Sequence, residues 1–185
     1  SRLKMVEIIT SSGYNEVGKN MTIVNFGEDI IVFDCGLYLP AVIDLQEQEK
    51  NPTPQLLRSA GAFPNDSYLE KHKDKVRAFL ITHAHLDHVG AVHYVAHKFP
   101  KAVICGTPFT LEVLKSLMQD SKLSLRNKII KVYPDSSCII RGRSKTYTAE
   151  FINITHSTIH STIIALKSHE GTVIYANDYK LDNTP

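Results

Sequence analysis

Short apolar runs rich in β-branched residues alternate with polar stretches along the whole chain. Runs at 6–10, 21–24, 30–34, 76–81, 102–105, 128–132, 151–155, 162–166 and 172–175 have the length and composition of β-strands. Gly27-Glu28-Asp29 and His169-Glu170-Gly171 each separate two runs and predict hairpin turns. Two stretches carry a helical period instead. Residues 89–98 put Val89, Val92, Val95 and Ala96 on one face, and 108–118 open with a proline and repeat Leu111, Leu114 and Met118. Strands come first in hairpins and then alternate with helices, which predicts a layered α/β (α+β) protein built on a mixed sheet. Residues 37–65, rich in Pro, Gln, Glu and Asn, predict a long surface excursion with little regular structure.

A chain of 185 residues, 43% of them hydrophobic, has material for one core, so a single globular unit is expected. Lys and Arg total 21 against 19 Asp and Glu, a net charge of +2, so no global field marks a nucleic-acid or membrane binder. An acidic partner must be held locally. Cys35, Cys105 and Cys138 have no paired spacing and read as reduced thiols of a cytosolic protein. No apolar run approaches the roughly 20 residues that span a bilayer, and SRLKMVEIIT lacks a signal-peptide core. The expectation is a cytoplasmic protein with no membrane partner, and the ending DNTP reads as a cut rather than a natural end.

The stretch THAHLDHVGAV, 82–92, carries the chemistry. It places His83, His85, Asp87 and His88 within six consecutive residues, directly after the apolar run VRAFLI. Imidazole is the commonest ligand for borderline metals, and a carboxylate adds a hard anionic oxygen. Without a cation, so many ionisable groups in one turn would be costly. His83 and His85, two apart in extended chain, project to one side, while Asp87 and His88 fall where the helix begins and can face a second position. Two subsets in one loop suit two metal ions sharing a water. Remote ligands are then required, and His156 and Asp178 stand just beyond two of the expected strands. Single histidines elsewhere, His72, His93, His97 and His169, read as solvated or hydrogen-bonded structural residues.

The pattern His-x-His-x-Asp-His after a strand is similar to the signature of the metallo-β-lactamase superfamily. The flanking stretches NEVGKNMTIV, IVFDCGLYLP, GTPFTLEVLK and NDYKLDNTP resemble the ribonuclease J family, of the β-CASP branch, and its archaeal members above all. The resemblance implies an αββα sandwich and places chain 1–185 as the N-terminal part of that domain, without the β-CASP insertion or the C-terminal remainder. It implies two zinc ions, with manganese as a substitute: His83, His85 and His156 on one, Asp87 and His88 on the other, and Asp178 bridging. Asp87, His88 and Asp178 are implied as catalytic, and Asp34 as the aspartate that props the metal loop by hydrogen bonds. A last metal-binding histidine expected beyond the insertion is not in these 185 residues. His160 reads as a spare surface imidazole, and Asn177 stands where relatives commonly have Gly.

The implied activity is metal-dependent hydrolysis of RNA, 5′-to-3′ exonuclease and internal cutting, in RNA processing and decay. The implied partners are single-stranded RNA and a second copy, joined through segments absent here. Lys122, Arg126, Lys128, Lys131, Arg141, Arg143 and Lys145 could touch phosphates, although scattered cations more often form a solvated face. Two other readings stay open: a hydrolase of small thioesters or lactams on the same fold, and a non-catalytic scaffold fragment.

Overall fold

A computed structural model describes residues 5–15, 17–48 and 52–178. Glu16, Tyr179 and Lys180 of the quoted motifs, and the DNTP ending, lie outside the described residues. The first sheet has six strands in sequence order: β1 (Glu7–Ser12), β2 (Met21–Asn25), β3 (Ile30–Phe33), β4 (Val76–Leu80), β5 (Val103–Gly106) and β6 (Ile129–Lys131). β1, β2 and β3 pair antiparallel, and β3 to β6 run parallel. The second sheet is antiparallel, with β7 (Ser136–Arg141), β8 (Thr146–Asn153), β9 (Thr162–Ser168) and β10 (Gly171–Tyr175) in the order β10-β9-β8-β7.

Period-two alternation decides which layer each side chain joins. On the first sheet Ile23, Ile30, Val32, Phe79, Ile81 and Ile104 face the helices, with Val92, Val95, Phe99 and Leu114 in the same cluster. Their neighbours Val24, Ile31, Phe33, Leu80 and Cys105 face the second sheet and meet Ile140, Tyr147, Phe151, Ile164 and Leu166. Each fully buried large apolar side chain contributes roughly 1.5–3 kcal/mol, so the two interfaces together hold the layers in place. Fixed layers fix the strand ends, and the site is made of strand ends.

Both expected hairpin turns form. Asp29 closes the first of them and also reaches across the layers. Its buried carboxylate accepts bonds from Arg77 Nε (2.6 Å), the Arg143 N–H (2.8 Å) and the Tyr147 hydroxyl (2.9 Å). Burial alone would raise its pKa, but the Arg77 bond and the other donors hold it below the usual carboxylate value.

Three expectations need correction. Residues 37–65 are not structureless: α1 (Leu39–Glu47) and α2 (Pro54–Ser59) form there, and Ala41, Leu45, Leu57, Ala62 and Phe63 are buried. Pro40 and Pro54, which read as breakers, sit in first turns, where a missing N–H costs nothing, and the Thr53 hydroxyl caps α2 by accepting from Leu56 N at 3.2 Å. A third helix, α3 (Ser67–Lys71), leads into β4. Next, 89–98 is not one helix but α4 (Leu86–Val89) and α5 (Val92–Ala96), because the Ala91 N–H donates to the Cys35 carbonyl (2.9 Å). Last, β7 and the first half of β8 were not expected. Their alternation, Cys138 and Ile140 inward with Tyr147, Ala149 and Phe151, is interrupted by charged residues and Gly142. The helix at 108–118 runs on to Ser121 as α6 (Pro108–Ser121), ending at left-handed Lys122.

His93 on α5 is 2% exposed, and its Nδ1 has no hydrogen-bond partner. Burial, reinforced by nearby His97, lowers its pKa from 6.5 to about 4. Above pH 6.5 both folded and unfolded chains hold it neutral; below that the unfolded chain binds a proton that the folded chain refuses. The contribution of neutral His93 to stability is therefore present above pH 6.5 and lost as the pH falls through about 4. Urea unfolding of the wild type and His93→Leu should show the wild type losing about 3 kcal/mol relative to the variant between pH 7 and pH 4. Parallel stability curves would contradict this.

Candidate metal centre

β4 ends at Leu80 and delivers residues 81–88 to the rim of the sandwich. This turn is held by its neighbours' backbone. Cys35 N donates to the His88 carbonyl (2.8 Å), Leu37 N to the Leu86 carbonyl (2.8 Å) and Asn20 N to the Asp87 carbonyl (3.0 Å). Asn20 Nδ2 adds a second bond to the same Asp87 oxygen (3.0 Å). Gly36 permits this closeness, since a Cβ there would lie 1.6 Å from the Asp87 carbonyl oxygen.

Beneath the turn lies Asp34, fully buried and in the left-handed region at φ 58°. A carboxylate only accepts, so its three contacts fix three protons. Thr82 N donates to Oδ1 (2.8 Å), the Thr82 hydroxyl to Oδ2 (2.9 Å), and His88 Nδ1 to Oδ2 (2.7 Å). The Thr82 hydroxyl has spent its proton and so accepts from His83 Nδ1 (2.9 Å). Asp34 thereby sets both tautomers, leaving the Nε2 of His83 and of His88 turned toward the rim.

On the rim, His83 Nε2 and His156 Nε2 each stand 3.1 Å from His85 Nδ1. His156 arrives from beyond β8, and Ser157 Oγ lies 3.1 Å from His85 Nε2. Asp178, beyond β10 and also left-handed at φ 52°, joins two groups: its Oδ2 is 3.0 Å from His88 Nε2 and 3.7 Å from His83 Nε2. Ligand atoms of His83, His85, His156 and Asp178 lie within 4.8 Å of one another, as do those of Asp87, His88 and Asp178. A single proton cannot satisfy three converging ring nitrogens. Ligands 2.0–2.1 Å from one tetrahedral centre would sit about 3.3 Å apart, close to the spacing here, and the nitrogen and oxygen donor set suits zinc or manganese.

The electrostatics follow from burial and neighbours. Burial, then the charge of His88, pushes His83 down to about 3, which keeps its lone pair available. Burial opposes protonation of His88 too, but the charge of Asp34 and the bonds to Asp178 and Asp34 raise it to about 10. The His88 bond in turn lowers Asp178 below the usual carboxylate value. Asp87 and Asp178 have side chains 22% and 36% exposed, so the rim is open to solvent on the carboxylate side.

All six expected ligand residues and Asp34 converge here. His72, His97, His160 and His169 stay outside both groups, as does buried His93. His160 is exposed and contributes its carbonyl to the Thr107 hydroxyl (3.2 Å). The cations divide by strand end. Arg141, Arg143 and Lys145 surround the β7–β8 turn, at the opposite end of β8 from His156, and Lys145 pairs with Glu170. Sequence reasoning missed Thr82, Asn20, Gly36 and Ser157. A polar Thr82 between an apolar strand and the first histidine was the available signal.

The metallo-beta-lactamase superfamily model matches residues 14–179. The chain belongs to this superfamily. It is 37% identical over 182 residues to ribonuclease J of Methanocaldococcus jannaschii, covering 97% of this chain and 40% of that protein. Ribonuclease J of Pyrococcus abyssi is 36% identical over 183 residues, covering 98% and 40%. The chain thus spans about two fifths of the length of the curated relatives it matches. Among solved structures, the metallo-beta-lactamase fold protein YhfI of Bacillus subtilis superposes with a TM-score of 0.55 over 88% of this chain and 56% of that one, at 16% identity, a likeness of fold. Superfamily membership implies metal ions, and the two ligand groups have the donors for them.

Asp34→Asn keeps the shape of the side chain but brings an amide N–H toward groups that all donate. Zinc affinity, followed by competition with a chromogenic chelator, should fall roughly 10- to 100-fold. Unchanged affinity would show that the histidine tautomers do not depend on Asp34.

Proposed function

We propose that this chain carries the catalytic centre of a cytoplasmic ribonuclease J-like enzyme that hydrolyses the phosphodiester bonds of single-stranded RNA. The observation that carries the reading is the convergence of His83, His85, His156, Asp87, His88 and Asp178 from separate strand ends, in a chain similar to ribonuclease J proteins along nearly all its length. His83, His85, His156 and Asp178 would hold one zinc and Asp87, His88 and Asp178 the other. Two such cations lower the pKa of a water and neutralise charge on a phosphoryl group.

The chain's own residues supply the rest. Asp34 and Thr82 accept from the inner nitrogens of His88 and His83, so the outer ones face the rim, where His88 Nε2 would give up its proton as a cation binds. Buried His83 and His88 close the floor of the site to solvent, and the more exposed Asp87 and Asp178 face the open rim. An apolar groove of about 510 Å³, lined by Val17, Leu39, Pro40 and Leu86, opens beside His85 and Asp87 and has room for a nucleotide next to the reacting phosphate.

The test is cleavage of a 3′-labelled, 5′-monophosphorylated single-stranded RNA with zinc or manganese supplied. Labelled RNA should shorten from the 5′ end, chelation should stop the reaction, and Asp87→Ala should slow it at least about 100-fold. Undiminished cleavage by Asp87→Ala would overturn the assignment. So would turnover of a chromogenic thioester or lactam with no action on RNA.

A further inference from the structure

We infer that Cys105 and Cys138 form a reversible disulfide that cross-links the two sheets when the protein meets a peroxide. The inference stands apart from the nuclease reading. Cys105 is fully buried on β5 of the first sheet, Cys138 is half-buried on β7 of the second, and their sulfurs face each other at 3.7 Å. Both are free thiols in this structure.

Bond formation needs the sulfurs to close to about 2.05 Å. The topology supplies the movement. β5 is fixed between β4 and β6, whereas β7 is an edge strand that, among the described residues, pairs with β8 alone, and its Cys138 faces Ala149, a side chain too small to wedge the sulfur in place. The thiols also differ in role. Their shared hydrogen bond favours the thiolate on the more accessible Cys138 and, with burial, disfavours it on Cys105. Cys138 is then the sulfur that meets the oxidant and Cys105 the one that resolves it.

The step balances with hydrogen peroxide as oxidant. The Cys138 thiolate attacks one peroxide oxygen, the O–O bond breaks, and water leaves after protonation, giving a sulfenic acid. Cys105 sulfur then attacks the Cys138 sulfur, the S–O bond breaks, the Cys105 proton goes to the departing oxygen, and a second water forms. Two thiols are oxidised and one peroxide is reduced. The new bond would tie β5, next to the strand that delivers His83 to His88, to β7, next to the strand that delivers His156.

The test treats native protein with hydrogen peroxide, removes the peroxide, caps remaining thiols with iodoacetamide under denaturing conditions, and maps peptides without reduction. The expected result is loss of about 2 Da, a peptide pair linked through Cys105 and Cys138, and Cys35 recovered in alkylated form. Dithiothreitol should restore all three thiols, and the oxidised protein should melt on the order of 5–10 °C higher. Cys138→Ser should abolish the link; if that variant does not fold, the wild-type map decides alone. Recovery of three alkylated cysteines, oxygen added to Cys138 without a link, or a link through Cys35 would each overturn the inference.

Discussion

The buried carboxylate of Asp34 is the interaction on which the site depends. An anion at full burial is tolerable only when both of its oxygens are hydrogen-bonded, and here Thr82 supplies two donors and His88 a third. The same bonds that make the anion tolerable propagate outward as proton positions. Through His88 directly, and through the Thr82 hydroxyl to His83, one aspartate decides which nitrogen of each imidazole meets the rim. Stability of the core and readiness of the site are thus one constraint. Left-handed Asp34 also turns the chain from β3 into the segment Cys35-Gly36-Leu37, whose backbone then receives the ligand turn.

The layers explain why ligands so far apart in sequence can meet. The first sheet contributes the turn after β4, and the second contributes His156 after β8 and Asp178 after β10. Thr162 at the start of β9 donates twice to the Thr82 carbonyl, through N at 3.0 Å and Oγ1 at 2.8 Å, so the second sheet is pinned to the strand that bears the ligands. At the other end Asp29 clasps the sheets through Arg77, Arg143 and Tyr147. Polar joints close both ends of an apolar interface, and the carbonyl and hydroxyl of the Thr82–Thr162 joint are as buried as the Asp29 carboxylate.

Much of this was legible in the sequence, because the strongest signals were local. Continuous apolar runs marked the buried central strands, and four ligand-type residues in six marked the turn. His156 and Asp178 were legible as polar residues beyond strand ends. The fold's irregular parts were not. Prolines in the first turns of α1 and α2 looked like breakers, and charge hid the alternation of β7 and β8. The helix break at Ala91 follows from a bond to Cys35, a residue 56 positions away, which no local pattern contains. Asn20 and Gly36 act through backbone proximity, and Thr82 through a proton relay, so their roles needed coordinates.

At the centre stands the proposed gathering of these strand ends into two cation positions that share Asp178. Its most direct measurement is elemental analysis of protein loaded with zinc and then desalted. Two zinc ions per chain are expected for the wild type and one for His88→Ala, whose other group of ligands remains whole. Zero or one zinc in the wild type, or two retained by His88→Ala, would contradict it.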